Sequence, residues 1–159
     1  RRGLPPDVVD AATRSRMMAA IKGRDTKPEM TVRRGLHRRG FRFRLHDRAL
    51  PGRPDLIFPR HRAVIFVHGC FWHGHDCPFF RWPKSRPEFW RAKIGANIER
   101  DRAARTALKA VDWRVLTVWE CAFRGKSPEQ GEAALDGAAA WLSGSSGEAE
   151  IRGNDSGAG

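Results

Sequence analysis

Ala63-Val64-Ile65-Phe66-Val67 decides the fold, because it is an unbroken apolar run, rich in β-branched residues, that leaves no position for solvent. Such a run fits a central strand buried on both faces. Just upstream, Asp55-Leu56-Ile57-Phe58 reads as a second strand, joined to the first by a tight connection from Pro59 to Arg62. It emerges from the rigid turn Leu50-Pro51-Gly52-Arg53-Pro54. Earlier still, Phe41-Arg42-Phe43-Arg44-Leu45 alternates apolar and basic residues, the period of a half-buried strand. Downstream, Trp113 to Trp119 is another strand, and because a helix precedes it, a crossover parallel to an earlier strand is the simplest topology. The pattern predicts an α/β fold.

Helix signals fill the gaps. A short helix over Ser15–Ile21 would have Met17, Met18 and Ile21 as its apolar side. Thr26-Lys27-Pro28-Glu29 reads as a capping box opening a helix to about Arg39, with Gly40 as its stop. Ser85-Arg86-Pro87-Glu88 reads as a second box, opening a long helix to about Ala110, and a last helix is expected over Pro128–Leu142. Residues 1–12 are expected to form a flexible N-terminal arm and residues 143–159, rich in Gly, Ser and Glu, a disordered tail, leaving 13–142 as the folded domain.

The chain has 159 residues, enough for one core, and carries a formal net charge of +12 from 30 Lys and Arg against 18 Asp and Glu. An excess spread over a compact domain favours a polyanion, most often nucleic acid, over a merely solvated basic surface. Three cysteines fit a disulfide framework poorly and a metal site in a reducing compartment well. No stretch reads as a signal peptide, bilayer span or lipidation motif, so a soluble cytoplasmic protein is expected; a monomer is expected as well.

Phe66-Val67-His68-Gly69-Cys70-Phe71-Trp72-His73-Gly74-His75-Asp76-Cys77 carries most of the chemistry. Cys70, His75 and Cys77 are donors of the kind zinc prefers, and Cys121 would close a tetrahedral, structural site with no position left for water. The alternative is that Cys121 is only a small buried hydrophobe. Asp55, at a strand end, is placed as carboxylates that hold Mg2+ are, although a turn aspartate bonding to nearby backbone would look the same. At about 100° per residue, Asp101 falls within about 20° of Trp90 and Leu108 on the apolar stripe of its helix. It therefore needs a partner, either a neighbouring Arg or an imidazole such as His73. Glu29 has a sufficient role as the return half of a capping box. Phe71, Trp72 and Trp90 are either core residues or wedges for insertion between bases.

Arg14-Ser15-Arg16-Met17-Met18, Arg24-Asp25-Thr26-Lys27-Pro28-Glu29, Leu50 to Asp55, Phe66 to His73, Glu88-Phe89-Trp90, Glu99-Arg100-Asp101-Arg102 and Trp113 to Glu120 together resemble the very-short-patch repair (Vsr) mismatch endonucleases, over about Thr13–Phe123. The resemblance implies a restriction-endonuclease-like mixed β-sheet flanked by helices, and a Mg2+-dependent nick 5′ of the thymine in a T:G mismatch left by 5-methylcytosine deamination. It implies that Asp55 and the Val67 carbonyl hold Mg2+, that His73 is the general base with Asp101 as partner and His68 assisting, and that Glu29 is an auxiliary carboxylate. Cys70, His75, Cys77 and Cys121 would hold structural Zn2+. Phe71, Trp72 and Trp90 would enter the major-groove side of the mispair, and Met17 and Met18 would approach the minor groove. The partners implied are mismatched duplex DNA and other repair proteins. Where restriction-type strands usually carry Glu-x-Lys, this chain has Phe66-Val67-His68, so imidazole and backbone must replace carboxylate and amine. Rival readings are a broader mismatch or uracil endonuclease with little flanking preference, and a zinc-stabilised mismatch-binding module without catalysis.

Overall fold

The computed structural model describes residues 26–153. The helix expected over Ser15–Ile21, the arm over 1–12, and Met17 and Met18 lie outside that range. A five-stranded sheet in the order β1 (Arg44–Leu45), β2 (Leu56–Phe58), β3 (Ala63–His68), β4 (Arg114–Trp119), β5 (Glu148–Ile151) forms the middle layer. The β1/β2 and β2/β3 pairs are antiparallel, while β3/β4 and β4/β5 are parallel. The expected crossover onto β3 is thus present, with Ala63 opposite Arg114 and His68 opposite Trp119.

Strand alternation sends the two halves of β3 to two separate cores. Ala63, Ile65 and Val67 join Val32 and Leu36 of α1 (Lys27–Arg38) and Leu135, Ala138, Trp141 and Leu142 of α3 (Pro128–Ser143). Val64 and Phe66 instead meet Ala104 and Leu108 of α2 (Pro87–Ala110) on the other face. Every residue of β3 is buried, as a strand covered by helices on both sides requires. The β2–β3 connection is a 3-10 turn over Pro59–His61, released by Arg62 at φ 53°. Among the described residues no helix is long and apolar enough to cross a membrane.

Several expected boundaries differ. Thr26 is the N-cap of α1, accepting from the Glu29 N–H at 3.3 Å, but the Glu29 side chain turns inward to other partners rather than serving the cap. Helix α2 begins after Arg86, which adopts φ 54°, so Ser85 is displaced from the cap position and the second box does not form. A capping box does form on α3, from Ser127 and Gln130. Only Arg44–Leu45 of the expected first strand pairs, because His46 turns left-handed at φ 48° and Phe41 and Phe43 pack beneath the sheet against Phe58. The expected disordered tail is a correction of more consequence. Residues 148–151 pair in parallel with Val115–Val118, burying backbone donors and acceptors that composition alone left to solvent.

Candidate active site

The chemistry gathers beyond the carboxyl ends of the parallel strands β3 and β4, where open α/β sheets commonly hold ligands. Because β2 runs against β3, Asp55 at its start comes to lie beside the end of β3. The Val67 N–H donates to Asp55 Oδ2 at 2.7 Å. In an extended residue the N–H and C=O point to the same edge, so the Val67 carbonyl also faces the Asp55 side. Glu29, fully buried in the first turn of α1, presents its Oε2 to Arg33 and, at 2.8 Å, to His46 Nε2. His46 Nε2 lies 3.7 Å from Asp55 Oδ1. Burial holds the Asp55 carboxyl well above its ordinary value. The Val67 N–H opposes this, nearby Glu29 adds to it, and Arg33 relieves it. Two buried carboxylates sharing one pocket suit a hard divalent cation, whose charge would relieve both.

A second cluster, His68, His73 and Asp101, follows directly in the chain, since His68 succeeds Val67 in β3. His73 Nδ1 is 2.5 Å from Asp101 Oδ2, so the carboxylate holds the proton on Nδ1 and leaves Nε2 as the basic nitrogen. The His68 ring stacks on that of His73 at 3.7 Å and 4°, and its Nε2 is 3.9 Å from Asp101 Oδ1. Burial pulls His68 well below its ordinary value, with His73, Arg105 and His75 adding smaller effects, so it is neutral near pH 7. The partner that Asp101 needs on its apolar stripe is thus an imidazole.

The third cluster is the Cys/His set. Cys70, His75, Cys77 and Cys121 bring their donor atoms within 4.8 Å of one another, and none of the cysteines is in a disulfide. His75 Nδ1 lies 3.5 Å from Cys70 Sγ and 3.6 Å from Cys121 Sγ. A tetrahedral ion about 2.3 Å from sulfur and about 2.0–2.1 Å from nitrogen would separate those donors by about 3.5–3.6 Å, so the set fits zinc. The Cys121 thiol is pulled down to about 5, chiefly by hydrogen bonding with Cys70 and further by the Gly153 N–H and His75, against the effect of burial; Cys70 is pushed up. Gly74, at φ 60°, lets the loop turn between His73 and His75, and a Cβ there would sit 2.8 Å from both Ile94 and Ile98 of α2.

Phe71, Trp72 and Trp90 are half-buried and meet as one aromatic group. The Phe71 ring is edge-on to Trp72 at 5.1 Å and to Trp90 at 5.3 Å. Asn97 donates to the Trp72 carbonyl at 2.9 Å, anchoring the loop to α2. Sequence reasoning missed His46, Asn97 and Glu120, whose Oε1 accepts from the Cys70 N–H at 3.1 Å. Each acts across a gap in sequence that no local pattern reveals.

A carboxylate pocket suited to a hard cation, together with an imidazole whose Nε2 is left free, on so basic a protein, is the set of parts a hydrolytic nuclease uses. Comparison with known proteins agrees. The sequence model of the DNA mismatch endonuclease Vsr family matches residues 6–78. The DNA mismatch endonuclease Vsr of Escherichia coli is 48% identical over 145 residues, covering 91% of this chain and 93% of that protein. The type II nicking enzyme V.XorIIP of Xanthomonas oryzae pv. oryzae is 49% identical, covering 72% and 85%, and V.NmeAIP of Neisseria meningitidis is 40% identical, covering 76% and 86%. The chain belongs to the Vsr family of DNA mismatch endonucleases.

Proposed function

We propose that this protein nicks duplex DNA on the 5′ side of the thymine in a T:G mispair, the product of 5-methylcytosine deamination. It would act as a monomer in the bacterial cytoplasm, with other repair proteins completing the patch. The observation that carries the reading is the His73–Asp101 hydrogen bond of 2.5 Å, tied to the Asp55 pocket through consecutive residues of β3: Val67 donates to Asp55 and His68 stacks on His73. Mg2+, held by Asp55 and the Val67 carbonyl, would stabilise the charge that develops on the phosphate and on the leaving 3′ oxygen. His73 takes a proton from the attacking water on Nε2 while Asp101 holds Nδ1 and balances the imidazolium that forms. His68, neutral and stacked on His73, fixes the plane of that ring. Glu29 supports Asp55 through His46. The P–O3′ bond breaks as the water oxygen bonds to phosphorus, leaving a 5′-phosphate, and the departing 3′ oxygen takes a proton from solvent to become a 3′-hydroxyl. Zn2+ on Cys70, His75, Cys77 and Cys121 would hold the loop that carries His73.

Phe71, Trp72 and Trp90 supply apolar faces beside this site, suited to unstacking a base step at a cost of a few kcal/mol that is smaller at a mispair. Labelled duplexes bearing T:G, U:G, other mispairs or matched C:G in varied flanks, with and without Mg2+, test the reading. The expected result is Mg2+-dependent 5′-phosphate nicks selective for T:G and absent with His73→Ala. Similar rates on all mispairs would instead indicate a broader mismatch nuclease. Tight binding without scission at any Mg2+ concentration would indicate a binding module.

A further inference from the structure

Residues 148–153, which composition would leave idle, make three separate contacts with the Cys/His centre and its surroundings. The Gly153 N–H donates to Cys121 Sγ at 3.2 Å. Arg152 binds Asp76, the residue between His75 and Cys77, through Nη1 to the carboxylate at 2.8 Å and through Nη2 to the backbone carbonyl at 2.8 Å. Glu150 Oε2 accepts from Trp119 Nε1 at 3.4 Å, and the Trp119 indole stacks on the His75 ring at 3.8 Å and 4°. The same indole meets His68 edge-on at 5.3 Å. Gly153 is buried, and a Cβ there would fall 2.2 Å from the Cys121 carbonyl oxygen, so the N–H reaches the sulfur only because residue 153 is glycine.

We propose that this C-terminal segment is the outer shell of the zinc centre: the Gly153 N–H orients the Cys121 thiolate, Arg152 clamps the loop between two ligands, and Glu150 fixes the indole that packs His75. The proposal rests on the reading of Cys70, His75, Cys77 and Cys121 as a zinc site. Residues that hold ligands in place typically control metal affinity by about 10–100-fold. The β4–β5 pairing supplies the rigidity, since Ile151 sits in register with Val118, just before Trp119 and three residues from Cys121. Metal retention would thereby depend on a strand remote in sequence from the loop that supplies three of the four ligands.

The test is competition with a chromogenic chelator on the purified protein and its variants, with metal content measured by mass spectrometry. The variants are Arg152→Ala, Gly153→Ala and two truncations, one ending at Gly147 and one at Gly153. The first three should lose zinc about 10–100-fold more readily, while the chain ending at Gly153 should match wild type. Gly153→Ala disturbs backbone packing, so Arg152→Ala provides the cleaner comparison. Co2+-substituted Arg152→Ala should also show altered thiolate-to-metal charge-transfer bands, which a general loss of stability would not produce. If wild type holds zinc and Arg152→Ala and the Gly147 truncation hold it equally tightly with unchanged Co2+ spectra, the outer-shell role is wrong. If wild type holds no zinc, the zinc reading itself fails and this role falls with it.

Discussion

Asp55→Asn should stabilise the metal-free fold while abolishing nicking. Asp55 is only 8% exposed, its carboxyl is held well above its ordinary value, and Glu29 lies in the same pocket. The pocket therefore favours the protonated acid. Below the ordinary carboxylate range both folded and unfolded chains carry the proton, and the site costs nothing. As pH rises past the unfolded value the unfolded chain gains by ionising and the folded chain does not, so the native state loses stability until the raised folded value is reached. Asparagine cannot ionise, keeps an oxygen for the Val67 N–H, and removes that loss.

A buried polar group with incomplete compensation costs about 1–3 kcal/mol, and in a domain of this size each kcal/mol moves Tm by about 2–4 °C. With zinc retained and Mg2+ absent, Asp55→Asn should melt about 2–12 °C above wild type at pH 8, and the gap should close toward pH 4. Adding Mg2+ should raise the Tm of wild type and leave the variant unmoved. Differential scanning fluorimetry across pH 4–8, with nicking measured in parallel, reads all three effects. A variant that is less stable than wild type at pH 8, or a gap that does not change with pH, would refute the assignment of Asp55 as a desolvated carboxylate awaiting a cation.

Asp101→Asn should lower the nicking rate by about 10²–10⁴ while leaving mismatch binding in gel shifts intact, because the amide loses the charge that supports imidazolium on His73. Phe58→Ala removes a fully buried ring that packs on Phe41 and Phe43, and should cost about 3–5 kcal/mol in urea unfolding. Stripping zinc should collapse the near-ultraviolet circular dichroism of Trp72 and Trp119 and abolish nicking in saturating Mg2+, with recovery on adding zinc back; nicking that survives metal loss would show that the loop holds its shape unaided.

The central strand and its parallel partner were legible because an unbroken apolar run has few ways to be buried, and an intervening helix enforces a crossover. The Cys/His cluster was legible from inventory, since one loop offered three soft donors and the chain one more, and the four meet within 4.8 Å. What escaped was set at long range. Glu29 satisfied a local capping rule, yet its carboxylate answers to His46, seventeen residues away. Ser85 obeyed the same rule but yielded to the left-handed turn at Arg86. Glu148-Ala149-Glu150-Ile151 looked polar because it is an edge strand, and its glutamates are taken up by Lys109 and Arg105 of α2 and by Trp119. Local composition cannot show a strand whose stability comes from the edge it joins.

On the proposed reading, helix α2 would link recognition of the mispair to the chemistry. Trp90, Ile94, Asn97 and Asp101 follow the 4-3-4 spacing that keeps side chains on one face of an α-helix. Along that stripe Trp90 joins the aromatic group, Ile94 closes against Gly74, Asn97 holds the Trp72 carbonyl, and Asp101 holds His73. The loop from Phe71 to His73 is therefore fastened at successive turns to one rigid rod and, through Cys70 and His75, to the Cys/His cluster. In that reading a ring pushed into a base step and an imidazole waiting for a water proton would not shift independently, since both are held by the same helical face. Misplacement by about 1 Å can cost about a hundredfold in rate, so aromatic insertion at a well-stacked pair, being incomplete, would also hold the phosphate away from His73. Discrimination then resides in alignment as much as in affinity, and Asn97→Ala should lower the nicking rate on T:G duplex more than it lowers binding.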